Sequence, residues 1–114
     1  MDSTLPVIDL DLGAKILGAD KNSAKKMIND LAAMLVGNLK ELKQVYQQGD
    51  LKKIADLAHF IHGGSCYCGT PRLKAASKEL EIQAKKNEQL EELKSAYESL
   101  CNEIQAVISQ SDLT

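Results

Sequence analysis

The sequence contains no tryptophan, one phenylalanine and three tyrosines, so aromatics make up only 4% of its 114 residues. Any core must therefore be aliphatic, drawn from the Leu, Ile, Val, Ala and Met that dominate an apolar fraction of 44%. Proline occurs only at Pro6 and Pro71, and glycines are few. Long stretches thus run without a breaker, which disfavours a sandwich or barrel needing turn residues every 8–12 positions or so. No apolar run approaches the roughly 18–20 residues that span a bilayer, and the N-terminus lacks the basic-then-apolar order of a signal segment. A soluble, cytoplasmic chain without direct membrane contact is expected. Fourteen basic against sixteen acidic residues, a net charge of −2 and no basic block leave no electrostatic footprint for nucleic acid. The cysteines Cys66, Cys68 and Cys101 are odd in number, so no disulfide framework is expected and all three are read as thiols.

What remains is helix-forming sequence of a length suited to one domain, residues 1–114. Residues 1–8 read as a non-helical strap, with Val7 and Ile8 available to lie against a core. Asp9 or Asp11 can cap a short first helix that Gly18 ends. Asn22 and Ser23 are N-cap candidates for a long second helix towards Gln48, with Met27, Leu31, Met34, Leu35, Leu39, Leu42 and Val45 recurring at steps of three and four. Asp50 caps a third helix, Leu51 to about Ser65. The segment from Tyr67 to Pro71 is a turn, with Thr70 as N-cap and Pro71 at the first helical position of a fourth helix carrying Leu73, Ala76, Leu80 and Ala84 on one face. Asn87 is expected to begin a fifth, striped by Leu90, Leu93, Tyr97, Leu100, Ile104 and Val107. The tail over 109–114 is polar and expected to fray. The fold class is all-α: an antiparallel four-helix bundle with an additional short N-terminal helix.

The third helix carries both histidines. With Ile54 at the centre of its inward face and about 100° per residue, Ala58, Ile61 and Ser65 fall within about 40° of that centre, whereas His59 lies about 140° and His62 about 80° away. Neither is on the core face. The same-face neighbours of His59 are Ala55 and Gly63, both small. A glycine inside a helix costs about 1 kcal/mol relative to alanine, and Gly63-Gly64 incurs that twice. Small residues flanking an exposed imidazole leave room for another protein's surface to approach. Phe60, about 240° from the core centre, either packs under the N-terminal segment or belongs to a docking surface. Neutral imidazole is a nucleophile near neutral pH, and a phosphoryl group it accepts can be passed on again.

The segment Ala58-His59-Phe60-Ile61-His62-Gly63, with Gly69 six positions on, resembles the signature of histidine phosphotransfer (HPt) domains. The stretch from His59 to Lys74, HFIHGGSCYCGTPRLK, and the opening LPVIDLDLG resemble the C-terminal HPt domain of BarA/GacS-type tripartite hybrid sensor histidine kinases. The resemblance implies a phosphorelay carrier without catalytic machinery of its own. His59 would accept a phosphoryl group from a receiver-domain aspartate of a parent kinase and pass it to a downstream response regulator. Mg²⁺ would be supplied by the partner receiver, and this chain, acting as a monomer, would need no cofactor. It further implies that Gly63 gives clearance, that His62 stands where most members have a lysine, and that Glu81, twenty-two residues beyond His59, occupies a position often held by a glutamine that hydrogen-bonds the imidazole. As a solvated surface acid, Glu81 would have no such role.

Two other readings use the same residues. His59, His62, Cys66 and Cys68 are four possible zinc ligands within ten positions, though from one helix and its end, without the usual Cys spacing. Alternatively the chain is a non-catalytic interaction bundle with incidental histidines, which leaves Gly63-Gly64 unexplained. A catalytic cysteine lacks a positioned acid partner, and Arg72 reads as a turn-bracing residue.

Overall fold

A computed structural model describes residues 5–111. Five α-helices follow in order, α1 (Leu10–Leu17), α2 (Lys21–Gln47), α3 (Leu51–Ser65), α4 (Pro71–Lys86) and α5 (Lys94–Gln110), with a 3-10 turn at Leu90–Leu93 ahead of α5. The chain forms the all-α bundle expected, with α2 to α5 as its four principal helices and α1 laid against α2. The 27 residues of α2 run about 40 Å, nearly the full 43 Å of the molecule's long axis.

Side-chain oxygens fix the helix starts. Asp9 Oδ1 accepts from the Leu12 backbone N–H at 2.9 Å, and Asp50 Oδ1 from that of Lys53 at 3.1 Å. The second helix begins earlier than expected. Asp20, not Asn22 or Ser23, is its N-cap, accepting from the Ser23 N–H at 2.8 Å and leaving Asn22 and Ser23 inside the first turn. Pro71 opens α4 as expected, but the Thr70 hydroxyl turns away from the helix and donates to the Ser65 carbonyl at 3.3 Å. Asn87 closes α4 instead of opening α5: its side-chain amide donates to the Gln83 carbonyl at 3.0 Å while its backbone is extended. The fifth helix consequently starts at Lys94, after fully buried Leu93 has anchored the connection. At the other end it stays helical through Gln110, and Ser111 is buried, so fraying does not begin at 109. The expected strap and tail otherwise fall partly on residues 1–4 and 112–114, outside the described residues; Val7, within them, is buried.

The core is aliphatic. Its fully buried members include Ile28, Leu35 and Leu42 of α2, Ile54 and Ile61 of α3, Leu73 and Leu80 of α4, and Leu100, Ile104 and Val107 of α5. On α2 the expected stripe holds at Leu31, Leu35, Leu42 and Val45, with Met27 and Leu39 partly buried beside it. The buried face is wider than one seam, taking in Ile28 and Ala32, because α2 packs against α1, α3 and α5 together; Met34 is exposed. Tyr46 and Tyr97 stack with ring centroids 3.7 Å apart, and burial pushes the Tyr97 hydroxyl up to about 12. Arg72 donates from Nε and Nη2 to the buried Glu103 Oε2 at 3.2 and 2.9 Å, tying the start of α4 to α5 as a brace.

The turn between α3 and α4 is locked to α1. Asp9 N–H donates to the Gly69 carbonyl at 2.8 Å, and Gly69 adopts a positive φ of 65°. A Cβ there would collide with the Asp9 carbonyl oxygen and approach the Gly13 nitrogen to 2.7 Å. Left-handed strain and steric overlap act together. Gly69→Ala is expected to destabilise the fold by about 2–4 kcal/mol, read as a fall in thermal midpoint. Gly18→Ala meets nothing within 4 Å despite its φ of +65° and isolates the conformational part.

Candidate functional site

The site is centred on α3 and the flank of α4 packed against it. His59 extends into solvent, its side chain 71% exposed, with Nδ1 2.9 Å from Glu81 Oε2. Glu81 is 4% exposed, because it lies beneath the groups that pair with it. Lys85 Nζ donates to the same Oε2 at 2.8 Å, and Lys78 Nζ stands 3.8 Å from Oε1. The hydrogen bond from Lys85, ahead of that from His59, holds the Glu81 carboxyl below the usual carboxylate range, against the opposing effect of burial. Ionised Glu81 can only accept, so His59 Nδ1 carries the proton. The other ring nitrogen, Nε2, then has a free lone pair. Glu81 is therefore not a solvated surface acid: the fold brings together two residues twenty-two apart.

His62, three residues on from His59, is half-buried on the side facing α4. Burial first, then the nearby Lys78 charge, lowers its pKa from the ordinary histidine range; Glu81 opposes this and Lys74 adds to it. His62 is thus neutral at pH 7 and offers a ring N–H, not the full positive charge of a lysine. Cys66 Sγ lies 3.8 and 3.9 Å from its two ring nitrogens. A cleft of about 350 Å³ adjoins these residues, with Leu12, Ile16 and Pro71 lining it and Lys74 and Lys78 at its edge.

Gly63 faces open space, and a Cβ there would meet nothing within 4 Å. At Gly64 a Cβ would make ordinary contacts with Leu31 and Met34 of α2, so neither glycine is needed to relieve a clash within the chain. Phe60 is 54% exposed. Met34 of α2, which lies near Gly64 of α3, and Tyr67 are also exposed apolar side chains. Ala55 corrects the sequence reading. At 5% exposure it lies inside the bundle and offers no surface to a partner. Helical spacing puts it between the core centre and His59, the flank that α4 covers in the most extensive helix pairing of the molecule.

The four potential zinc ligands do not converge. Cys68 is buried in the hydrophobic core, and burial pushes its thiol pKa up; no group of three or more His, Cys, Asp or Glu able to hold a metal occurs among the described residues. Cys101 is likewise buried in the core.

Residues 26–110, most of the chain, match the Hpt domain family. The chain belongs to the Hpt domain family. This Hpt domain is 29% identical over 84 residues to the sensor histidine kinase GacS of Pseudomonas protegens. It is 26% identical over 81 residues to the sensor protein GacS of Pseudomonas syringae pv. syringae. The matches cover 74% and 71% of the chain but 9% of each kinase. Its fold superposes with a TM-score of 0.81 on the crystal structure of the HPT domain from a sensor hybrid histidine kinase of Shewanella, at 26% identity, covering 90% of this chain and 88% of the other. Its biochemical class is histidine phosphotransfer within a phosphorelay. No helix among the described residues is long and apolar enough to cross a membrane.

Open space around Gly63 separates folding from clearance in an experiment. Gly63→Ala is expected to stabilise the helix by about 1 kcal/mol, seen as a higher urea midpoint. Gly63→Leu is expected to leave the circular-dichroism spectrum of the bundle unchanged but to abolish phosphoryl acceptance from a receiver. Unimpaired acceptance by Gly63→Leu would show that the glycine serves no steric purpose.

Proposed function

We propose that His59 is the phosphoacceptor. It takes a phosphoryl group from the aspartyl phosphate of a receiver domain, in a hybrid sensor kinase of the kind this chain resembles, and hands it to the aspartate of a separate response regulator. The observation carrying this reading is the His59–Glu81 pair: Nδ1 is occupied by a buried carboxylate and Nε2 points free from a ring that is 71% exposed. A nucleophilic nitrogen so placed needs no base, since its lone pair is available and no proton has to be removed before attack. Gly63 leaves space for the rim of a receiver's recessed pocket, while Phe60 supplies apolar contact beside it. His62 supports the incoming phosphate as a hydrogen-bond donor.

Nothing in this arrangement stabilises charge on a transferring phosphoryl group as a metal does, and that part of the chemistry is assigned to Mg²⁺ held by the receiver. The chain then functions as a monomeric carrier at the cytoplasmic side of the relay, whose contacts with each receiver must be weak enough to release it.

The test is transfer of radiolabel from a phosphorylated receiver to wild type, His59→Gln, His62→Gln and His62→Lys. Label is expected on all but the His59 variant. Acceptance by His59→Gln, or its loss in His62→Gln alone, would move the acceptor site elsewhere. His62→Lys is expected to retain transfer, because it restores a donor in the same place.

A further inference from the structure

We infer that the cleft between α1 and the α3–α4 pair binds a small organic anion with an apolar tail, of the medium-chain monocarboxylate class, and that its occupancy obstructs phosphoryl acceptance at His59. The second part rests on His59 being the acceptor; the first stands without it. The cleft measures about 350 Å³, at the small end of the roughly 300–1,000 Å³ usual for small-molecule sites. Its walls come from helices that the fold alone brings together.

The lining has two characters. Leu12 and Ile16 of α1 and Pro71 and Ala75 of α4 give it hydrocarbon walls. Ile16 is 43% exposed, so apolar surface stands in water at an indentation where a ligand can cover it. Lys74 and Lys78 also line the cleft, and no acidic side chain does. Lys78 Nζ is 3.8 Å from Glu81 Oε1, at the long limit of an ion pair, and the Lys74 ammonium makes no ion pair among the described residues. Their methylene stems extend the apolar wall while the charged ends reach water. An inorganic anion would leave the walls wet, and a neutral hydrocarbon would leave the two ammonium groups unanswered. A molecule with one carboxylate and an apolar body satisfies both, whereas a second charge would have to lie against hydrocarbon.

The cleft touches the histidine site at two points. His62 lines it, three residues and about 4.5 Å of helix rise from His59. Lys78 belongs to both places, since it lines the cleft and stands against Glu81, whose other oxygen meets His59 Nδ1. A carboxylate seated on Lys74 and Lys78 therefore brings negative charge beside the face where a phosphoryl group must arrive. It also occupies the ammonium groups that attract an incoming anion, and like charges brought together oppose docking. Cys66 provides a reporter: it lines the same cleft and is partly exposed, whereas Cys68 and Cys101 are buried.

Octanoate, titrated into ¹⁵N-labelled protein, is the probe, with octan-1-ol and inorganic phosphate as comparators. Octanoate is expected to shift the backbone resonances of Ile16, Cys66 and Lys74 together and saturably, and to slow alkylation of Cys66 by iodoacetamide. Octan-1-ol has the tail without the charge and phosphate the charge without the tail. Each is expected to bind about fivefold more weakly or worse, the most that one exposed ion pair supplies. Lys74→Gln should weaken octanoate by a similar factor and leave octan-1-ol unchanged. Ile16→Asp, at an exposed position that leaves the bundle folded, should abolish saturable binding. Radiolabel transfer from a phosphorylated receiver should fall as octanoate saturates wild type and stay constant in Ile16→Asp. Equal affinity for octanoate and octan-1-ol, unchanged affinity in Lys74→Gln, shifts centred away from the cleft, or undiminished transfer at saturating octanoate would each overturn the inference. A wild-type protein that takes no label even without octanoate would instead overturn the acceptor assignment, a result separate from the binding titration.

Discussion

The packing of α3 on α4 governs nearly everything else about the molecule. It buries Ile54, Ala58 and Ile61 of one helix and Leu73 and Leu80 of the other. The angular offset between core and surface on α3 then decides how far each remaining side chain reaches. His59 lies far enough round to project into solvent, yet close enough to the α4 flank for its inner nitrogen to reach Glu81. His62 is a little nearer α4 and becomes half-buried, while Ala55 is covered altogether. A helix rotated by one residue, about 100°, would bury the imidazole or separate it from its carboxylate.

Each of the two buried carboxylates under this surface has one oxygen, Oε2, held by specific partners. Glu81 is paired with His59 and Lys85, and Glu103 with Arg72 across α4 and α5. Buried carboxylates are tolerable only when hydrogen-bonded or paired. The Arg72–Glu103 contact holds the start of α4 in place, and with it the turn through Gly69 that α1 caps. The functional face is therefore supported from behind by a brace at the helix end and an aliphatic core, while α3 keeps two glycines, Gly63 on that face and Gly64 on the flank toward α2, whose helical cost has no packing compensation inside the chain. That unoffset cost is the physical reason for looking outside the molecule for their purpose.

Membership in the Hpt family gives the chemical class, and the two GacS kinases show the setting in which similar domains occur, each many times longer than this chain. Glu81 distinguishes this site from one built on a neutral amide. A carboxylate against Nδ1 faces the ring with a full negative charge, an amide only with a dipole. Two lysines, Lys78 and Lys85, lie against that carboxylate.

The sequence by itself determined the helical class, the number of principal helices and the exposure of His59. Those follow from aliphatic residues recurring with helical period and from the angle between His59 and Ile54, both properties of one helix at a time. It also marked Gly63-Gly64, because a helix pays conformational entropy for glycine wherever it packs. Tertiary structure decided the rest. The start of α2 at Asp20 and the end of α4 at Asn87 turned on which of several polar side chains found a backbone partner. Ala55 was buried by a neighbouring helix that no periodicity within α3 reveals, and Ile28 and Ala32 joined the buried face because α2 serves three partners at once. The pairing of His59 with Glu81 was suggested by family resemblance alone. Its distance, its burial and the lysines sharing it come from the way α4 lies across α3, since a contact between residues twenty-two apart is a property of helix packing and not of local sequence.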